Sequence, residues 1–341
     1  MNKMTRISIL LPTYNGAQFL EEQINSITAQ SFADWELLIC DDGSNDGTMS
    51  IATGLAARDD RIIILPSEGN MGQRRRLQQL AHVARADLIA VSDQDDIWAS
   101  DKLEKLVNGL GEADLCFGSS WLIDGNGVEF GRELSASLPP PYRARDRLTW
   151  IFRPLVSAHG MLVRRRLFGG SAFTRALAFD WLISLEAAFG GGIVYIPTAQ
   201  TRHRLHDTNQ SNGWFANEPR APRFISRTAV QTLSRNVERE RLFVTGILEH
   251  LTFAESLDVQ TRQRVKAAHQ ACLDAWYANW AGGYSATRTL PDRIEQHLKP
   301  LAGSDGDWQY FKLRFDQLCM PLLTPSRLSI RRRRQALEWP R

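Results

Sequence analysis

Three carboxylates lie within four positions of one short acidic segment. Asp93, Asp95 and Asp96 follow the apolar run DLIAV and precede Trp98. A short apolar run of this kind is typical of a buried strand, so the aspartates would lie where that strand ends. Carboxylate oxygens are the ligands that Mg²⁺ and Mn²⁺ prefer, and substrate phosphates commonly complete such sites. The segment therefore predicts a divalent-cation site that holds a phosphorylated ligand.

Two other interpretations of the same aspartates stay open at this stage. The segment DDIWASDKLEKL could be a solvated loop followed by a helix with an acidic first turn, which the helix dipole favours by roughly 0.3–1 kcal/mol per acid. Two neighbouring carboxylates could also form an acid/base pair. The sequence alone favours the cation site because alternate positions at a strand end project to one side.

The elements that must position these aspartates alternate between strand and helix. Continuous apolar runs, typical of strands covered on both faces, occur at RISILLP, WELLICDD, RIIILPS and ADLIAVSD. Apolar residues recur with a helical period between these runs, in AQFLEEQINSITAQSF, DGTMSIATGLAARD and QRRRLQQLAHVAR. This alternation predicts βαβ units and a mostly parallel sheet sandwiched by helices.

Polar segments follow the predicted strands at one edge of that sheet. PTYNG follows the first strand, DDGSNDG the second and DQDDIW the fourth. Ligands of such sheets bind beyond the carboxyl ends of the strands, so we expect the functional site at this edge. The run Arg74–Arg76 could hold a phosphate there, but we expect a partly solvated helix face.

Composition and cysteine spacing exclude several classes of protein. The chain has 341 residues, of which 43% are hydrophobic and 23% charged, as is ordinary for a globular protein. The four cysteines are widely separated, so neither a disulfide framework nor a zinc cluster is indicated, and a cytoplasmic location is expected. No apolar stretch reaches the roughly 18 residues that a membrane-spanning helix needs, and no signal peptide is visible.

The domain plan inferred from the sequence has three parts. Residues 1–215 carry the α/β pattern, and residues 216–320 are mainly helical, with segments at 223–250, 256–281 and 305–320. Residues 321–341 contain six arginines and one glutamate among apolar residues, on a chain whose net charge is +3. This basic amphipathic tail predicts peripheral association with an anionic membrane surface. A solvated tail is the alternative, and no nucleic-acid partner is expected.

The order of these motifs resembles the family 2 glycosyltransferases of the GT-A fold. The resemblance rests on ISILLPTYNGAQFLEEQINSITAQSF, WELLICDDGSNDGT and NMGQRRRLQQLAHVARADLIAVSDQDDIW. The segments SDQDDIW, FDWLISLEAAFGGGIVYI and RHRLHDTNQSNG are similar to those of the bacterial rhamnosyltransferase-like subgroup. The resemblance implies a Rossmann-like sheet with a C-terminal helical extension.

The resemblance also implies roles for individual residues. Nucleotide-binding positions would be Thr13, Tyr14, Asn15, Asp41, Asp42, Asn70, Gly72 and Asp93. For Asp41 and Asp42, capping of the turn at Gly43 and Ser44 is the competing interpretation. The metal, Mn²⁺ or Mg²⁺, would be held by Asp95, Asp93 and His206. Asp96 and Arg204 would contact the donor sugar or support the ligands around it.

Asp180 aligns with the catalytic aspartate of the family, just inside a predicted helix. The family inverts the anomeric centre by direct displacement, so the attacking hydroxyl must lose its proton to a base on the acceptor side. An acidic residue at a helix start is the structural alternative. Two positions depart from the subgroup: His203 stands where tyrosine is usual, and Phe179 where histidine is usual. His159 could border the acceptor site or be structural.

The sequence thus predicts an inverting, metal-dependent hexosyltransferase. Its donor would be a dTDP-, UDP- or GDP-linked sugar, with rhamnose the common label of the subgroup. Its acceptor would be a hydroxyl of a surface glycan precursor of lipopolysaccharide, capsule or exopolysaccharide, carried on a lipid. A sugar-phosphate nucleotidyltransferase is one alternative, although PTYNG lacks the glycine-rich, basic phosphate loop expected there. A non-catalytic nucleotide-sugar-binding scaffold is the other.

Overall fold

The computed structural model describes residues 7–134, 147–151, 156–169, 178–206, 246–280 and 285–318. The chain forms two compact units. The first contains residues 1–145 and 154–218, and the second contains residues 146–153 and 219–341. The basic tail predicted at 321–341 lies outside the described residues, and the domain plan at 215 and 320 stays a prediction.

Nine strands form one sheet within the described part of the first unit. The strands are β1 (Ile7–Thr13), β2 (Trp35–Asp41), β3 (Ile62–Leu65), β4 (Leu88–Val91), β5 (Ile97–Trp98), β6 (Leu115–Ile123), β7 (Glu129–Glu133), β8 (Met161–Arg164) and β9 (Ile193–Arg204). Every residue of β1, β2 and β4 is buried, which confirms that continuous apolar runs mark strands covered on both faces.

The strand order is β3-β2-β1-β4-β8-β6-β9-β5, with β7 paired to β6. The four N-terminal strands are parallel, as their alternation with helices predicts. Beyond β4 the pairs are antiparallel, except for the parallel pair of β6 and β9. The α/β fold class is confirmed, and the sheet as a whole is mixed. The helical crossovers that make strands parallel occur in its N-terminal half.

Helices cover the sheet where the helical periodicity predicts them. They are α1 (Leu20–Thr28), α2 (Thr48–Ala56), α3 (Gln73–Val83), α4 (Lys102–Leu110) and α5 (Phe179–Phe189). Helix α1 shows the principle: Leu20, Ile24 and Ile27 are fully buried at helical spacing, and Glu21 and Glu22 lie in its first turn. The core cluster combines these side chains with those of β1, β2 and β4.

The acidic segment does not begin a helix. Residues 97 and 98 form the short strand β5, which pairs antiparallel with β9. Helix α4 begins only at Lys102, with Asp101 at its N-cap position. The interpretation of the aspartates as the acidic first turn of a helix is therefore wrong, because a strand separates them from the helix.

The described part of the second unit is helical. Residues 246–253 are helical, followed by α6 (Val259–Trp280), α7 (Ser285–Leu298) and α8 (Asp305–Leu318). Helix α7 was not predicted because Pro291 lies inside it. A proline removes one backbone hydrogen bond but can be tolerated when neighbouring turns pack well, and α7 packs along α6. No helix in the described ranges is long and apolar enough to cross a bilayer.

Candidate active site

The polar segments meet at the carboxyl edge of the parallel strands. Thr13 and Asp41 are register partners at the ends of β1 and β2. The Thr13 hydroxyl donates to the Asp41 carboxylate at 2.8 Å. The acidic segment follows β4, whose residue Val91 pairs with Leu10 of β1. Adjacent parallel strands thus bring the three loops to one edge, as the sequence predicts.

A two-residue ribbon places the acidic segment against β9. The antiparallel register pairs Ile97 with Arg202 and Trp98 with Thr201. Continuing that register by one residue sets Asp96 opposite His203, and the Asp96 carboxylate lies 2.9 Å from His203 Nδ1. The strand pairing therefore brings together residues that are more than 100 positions apart in the chain.

Four side chains form a compact buried cluster that could hold a metal ion. Asp93, Asp96, His159 and His203 each offer a ligand atom, and these atoms lie within 4.8 Å of one another. The two imidazole rings stack with centroids 4.3 Å apart. Oδ2 of Asp96 is fully buried and finds no hydrogen-bond partner among the described residues. Two carboxylates and two imidazoles are a suitable ligand set for a divalent transition metal.

The same cluster is also balanced by protein charges. Burial lowers the pKa of His203, but the Asp96 carboxylate outweighs it and raises that pKa to about 9. Burial raises the pKa of Asp96, but His203 and His159 leave it lowered. The ammonium of Lys102 lies buried beside them, and burial lowers its pKa to about 7 against the attraction of Asp96 and Asp93. His203, and Lys102 in its protonated form, thus place positive charge beside the cluster carboxylates.

Asp95 and His206 form a second, more accessible pair. His206 Nε2 lies 2.8 Å from Asp95 Oδ2, and the two side chains are 19% and 15% exposed. Burial, with the charges of Asp96 and Asp93, raises the pKa of Asp95 to about 6. One carboxylate and one imidazole would leave coordination positions for a diphosphate, which fits a metal–nucleotide site. Two of the three predicted metal ligands are thus adjacent, and Asp93 lies in the buried cluster.

The buried side chain of Arg204 forms hydrogen bonds that hold the acidic segment in place. Its guanidinium donates to the backbone oxygen of Asp95 at 2.8 Å and to the Glu22 carboxylate at 2.6 Å. It also reaches the carbonyl of Gly125 at 3.2 Å, and its side chain is 2% exposed. Asp96 is likewise fully buried. These contacts describe support of the ligand loop, and the predicted role of the pair toward the donor sugar stays a prediction.

The loops after β1 and β2 are bound tightly to each other. Asn15 adopts a left-handed backbone with a φ of 47°, and its side chain accepts a hydrogen bond from the Asn45 amide at 2.9 Å. The Asp41 carboxylate accepts the amides of Gly43 and Ser44. The turn-capping interpretation of Asp41 therefore describes contacts that exist, and its role toward a nucleotide stays a prediction. Tyr14 is exposed at this edge.

Asp42 fixes the loop that carries the predicted nucleotide contacts Asn70 and Gly72. Its carboxylate accepts the amides of Met71 and Gly72 at 2.7 and 2.8 Å. The guanidinium of Arg76 binds the same carboxylate at 2.9 Å and is 1% exposed. Asn70 itself is exposed. The expectation of a solvated arginine face is wrong for Arg76, because the buried Asp42 carboxylate requires a cationic partner.

Asp180 lies in the first turn of α5, partly buried, as the sequence predicts. Its Oδ1 accepts the Trp181 amide at 2.8 Å. Burial raises its pKa to about 6, hydrogen bonds from the backbone of Trp181 and Ala158 oppose the rise, and the charge of Asp93 adds to it. A carboxyl with this pKa is ionised near neutral pH and can accept a proton.

Two functional features of this edge escaped prediction from the sequence. Lys102 reads as an ordinary surface lysine at the start of a helix, yet it is fully buried. The association of His159 with Asp93 and Asp96 depends on tertiary packing, although its position in SAHGML left a role at the site open. Trp98 is buried, in agreement with a packing role, and the Lys102 ammonium lies 3.7 Å above its ring.

The mixed α/β sheet with its flanking helices belongs to the GT-A fold class. The fold agrees with the crystal structure of S. aureus TarS 1–349 in complex with UDP-GlcNAc, with a TM-score of 0.52 over 92% of both chains and 14% identity. Residues 8–170, slightly less than half of the chain, match the family described as Glycosyl transferase family 2. This N-terminal part of the chain is therefore similar to the family 2 glycosyltransferases.

Curated relatives share the N-terminal part of the chain. The UDP-Glc:alpha-D-GlcNAc-diphosphoundecaprenol beta-1,3-glucosyltransferase WfgD of Escherichia coli is 33% identical over 124 residues, which are 36% of this chain and 48% of WfgD. The glycosyltransferase GlyG of Streptococcus pneumoniae serotype 4 is 29% identical over 120 residues, which are 35% of this chain and 40% of GlyG. The chain thus spans less than half the length of these two relatives.

Proposed function

We propose that this protein is an inverting, metal-dependent glycosyltransferase that moves a sugar from a nucleotide-diphosphate donor to a hydroxyl of a surface glycan precursor. The observation that carries the proposal is the convergence of two sets of groups at one sheet edge. Asp95 and His206 form an accessible ligand pair, and Asp180 is a carboxyl with a raised pKa that feels the charge of Asp93. Direct displacement needs these two chemistries side by side.

In the proposed reaction the acceptor hydroxyl oxygen forms a bond to C1 of the donor sugar. The bond between C1 and the diphosphate oxygen breaks, and the nucleotide diphosphate leaves with that electron pair. Asp180 accepts the hydroxyl proton. A bound Mn²⁺ or Mg²⁺ would neutralise the charge that grows on the leaving diphosphate. The loops that carry Thr13, Tyr14, Asn15, Asp41, Asn70 and Gly72 line the same edge, and we assign them to the nucleotide.

We place the metal between Asp95 and His206, with Asp93 close by, rather than inside the buried cluster. Three of the four cluster members are 5% exposed or less, so a diphosphate has no access to them. The charge of His203, whose pKa is raised to about 9, already compensates the adjacent Asp96 carboxylate. Arg204 and Asp96 hold the ligand segment from the protein side.

The donor and acceptor are proposed by class. UDP-, dTDP- and GDP-linked sugars are the candidates, and rhamnose is a candidate sugar because of the subgroup motifs. A lipid-linked acceptor is supported by the name of the relative WfgD, which acts on a diphosphoundecaprenol-linked sugar. The protein would then work at the cytoplasmic face of a membrane.

Replacing Asp180 by Asn tests the assignment of the base. We expect transfer to fall by about 10²–10⁴-fold, which is the usual contribution of general base catalysis, while the donor Kd changes by less than about twofold. Asp101→Asn is the matched control, since Asp101 is also an acid at a helix start, and among the described residues its carboxylate pairs only with the exposed Lys105. Full transfer by Asp180→Asn would show that another group is the base. Donor binding without transfer by the wild type to any lipid-linked acceptor would favour the scaffold alternative.

A further inference from the structure

A short 3₁₀ turn, Ala158–Gly160, links the two halves of the candidate site. We call it the His159 turn. Nδ1 of His159 lies 3.7 Å from the Asp93 carboxylate. The backbone of the preceding residue, Ala158, has a small lowering influence on the pKa of the Asp180 carboxyl. A displacement of this turn would therefore change the environment of both the acidic segment and the proposed base.

The buried ammonium group of Lys102 holds the His159 turn. Lys102 Nζ donates to the backbone oxygen of His159 at 2.6 Å and to the Thr201 hydroxyl at 2.9 Å. The same nitrogen lies 3.7 Å from the centre of the Trp98 ring. Lys102 is the first residue of α4, and its side chain is fully buried. Its head group thus joins α4, β5, β9 and the turn at one point.

A buried ammonium is expensive unless its charge and its hydrogen bonds are satisfied. An apolar side chain of the same length would fill the space at lower cost, so packing alone does not require a lysine here. What a lysine adds is directional donation to the His159 carbonyl and a positive charge beside Asp93 and Asp96. Both contacts lie on segments that carry groups of the candidate site.

We propose that Lys102 is a positioning residue of the transfer reaction: its ammonium holds the His159 turn in place, so that the His159 ring faces Asp93 and the backbone of the turn keeps its position relative to the proposed base Asp180. This inference rests on the proposed function, since it assigns Lys102 a task in placing the proposed base. Lys102 itself touches no reacting atom, because it is buried beneath the turn. Its effect passes through the His159 backbone.

Lys102→Met keeps the length of the side chain and removes the donor. Because the Ala158 backbone lowers the pKa of Asp180, displacement of the turn should raise that pKa further. A carboxyl ¹³C NMR titration of Asp180 measures that change directly and needs no substrate. In transfer assays we expect kcat to fall by roughly 10–100-fold, as displacements of about 1 Å do, with a smaller change in the donor Kd. The acid limb of the kcat profile should move to higher pH.

Two further variants separate positioning from stability and from charge. Leu103→Ala removes a fully buried side chain from the next position of α4 and should lower Tm without moving the pKa of Asp180. Thr201→Val removes one acceptor of the ammonium and keeps its charge, so it should shift the Asp180 titration in the same direction by less. If Lys102→Met does not fold, the Asp180 titration of Thr201→Val tests the positioning role of Lys102 by itself.

An unchanged Asp180 titration in Thr201→Val and in folded Lys102→Met would overturn the inference. A shift as large in Leu103→Ala would also overturn it, since any loss of packing would then produce the effect. Failure of the proposed function looks different: the wild type would transfer no sugar, while the NMR titrations would still report whether Lys102 positions the turn.

Discussion

The carboxylates of this sheet edge differ in environment, and the environment separates their roles. Asp41 and Asp42 have their oxygens bound by loop amides, and Asp96 is buried against His203. Asp95 is accessible and faces the imidazole of His206. Asp180 lies on a different element, in the first turn of α5, and burial raises its pKa to about 6. We assign chemistry to Asp95 and Asp180, and Asp93, whose side chain is 24% exposed, influences the pKa of both.

The pH dependence of transfer follows from the Asp180 environment. A base must be ionised, and burial raises the pKa of Asp180 to about 6. We therefore expect kcat/KM, measured at saturating metal, to be constant above about pH 7 and to fall tenfold per pH unit below about pH 6. A profile that stays level down to about pH 5 would contradict the assignment of Asp180 as the base.

Sequence reasoning found most of the residues at this edge but not their connections. The spacing of Asp93, Asp95 and Asp96 after an apolar run predicted a site, because a strand end fixes where these side chains lie. The distinct environments of Asp95 and Asp96 could not be predicted, because they depend on the register of β5 against β9. That register is set by residues 100 positions away.

At the scale of elements, the loop between β3 and α3 is shaped by a buried ion pair. The Asp42 carboxylate binds two loop amides, and the Arg76 guanidinium adds a hydrogen bond of 3.0 Å to the Glu68 carbonyl. Gly72 has a φ of 85°, a left-handed backbone that glycine adopts without strain. Helix α3 thus begins where this buried pair fixes the chain.

Arg76→Met should remove the buried ion pair and leave the Asp42 carboxylate buried without a cationic partner. Removing one partner of a buried pair costs about 3–5 kcal/mol, so urea unfolding should show a loss of that size. We also expect weaker donor binding, because the loop bears Asn70 and Gly72. Arg75→Met, a change at the exposed neighbouring position, is the matched control. Equal stability of both variants would show that the buried pair contributes little.

The elements themselves were largely predictable. The parallel strands β1 to β4 and helices α1 to α3 lie where apolar runs and helical periodicity place them. Strand β5 was not predicted, because two residues carry no periodicity, and α7 was not predicted, since Pro291 disfavours a helix interior. In both cases tertiary contacts decide the structure, through the pairing with β9 and the packing against α6.

At the scale of the molecule, the chain joins an α/β unit to a helical unit, and the basic segment 321–341 follows the described residues. Its six arginines and interleaved apolar residues support a proposal of peripheral membrane binding. Membrane binding would bring the protein to the surface that carries a lipid-linked acceptor.

Replacing Arg331, Arg332, Arg333 and Arg334 by Gln tests the role of the tail. Each basic residue near an anionic leaflet contributes about 1 kcal/mol, so partitioning onto phosphatidylglycerol vesicles should fall by about 10³-fold at low salt. Co-sedimentation with anionic and zwitterionic vesicles measures the effect, and the wild type should prefer the anionic ones. Equal binding of both proteins to both vesicles would show that the tail does not recognise a charged membrane.

The central claim is that Asp95 and His206 hold a metal–diphosphate complex at this edge. Calorimetric titration with UDP, dTDP and GDP, each with and without Mn²⁺, tests it most directly. We predict that one nucleotide binds at least about tenfold more tightly with Mn²⁺, and that Asp95→Asn abolishes this difference while His203→Gln retains it. Metal-independent binding of every nucleotide would contradict the account. Loss of the difference in His203→Gln but not in Asp95→Asn would also contradict it, and would place the metal in the buried cluster.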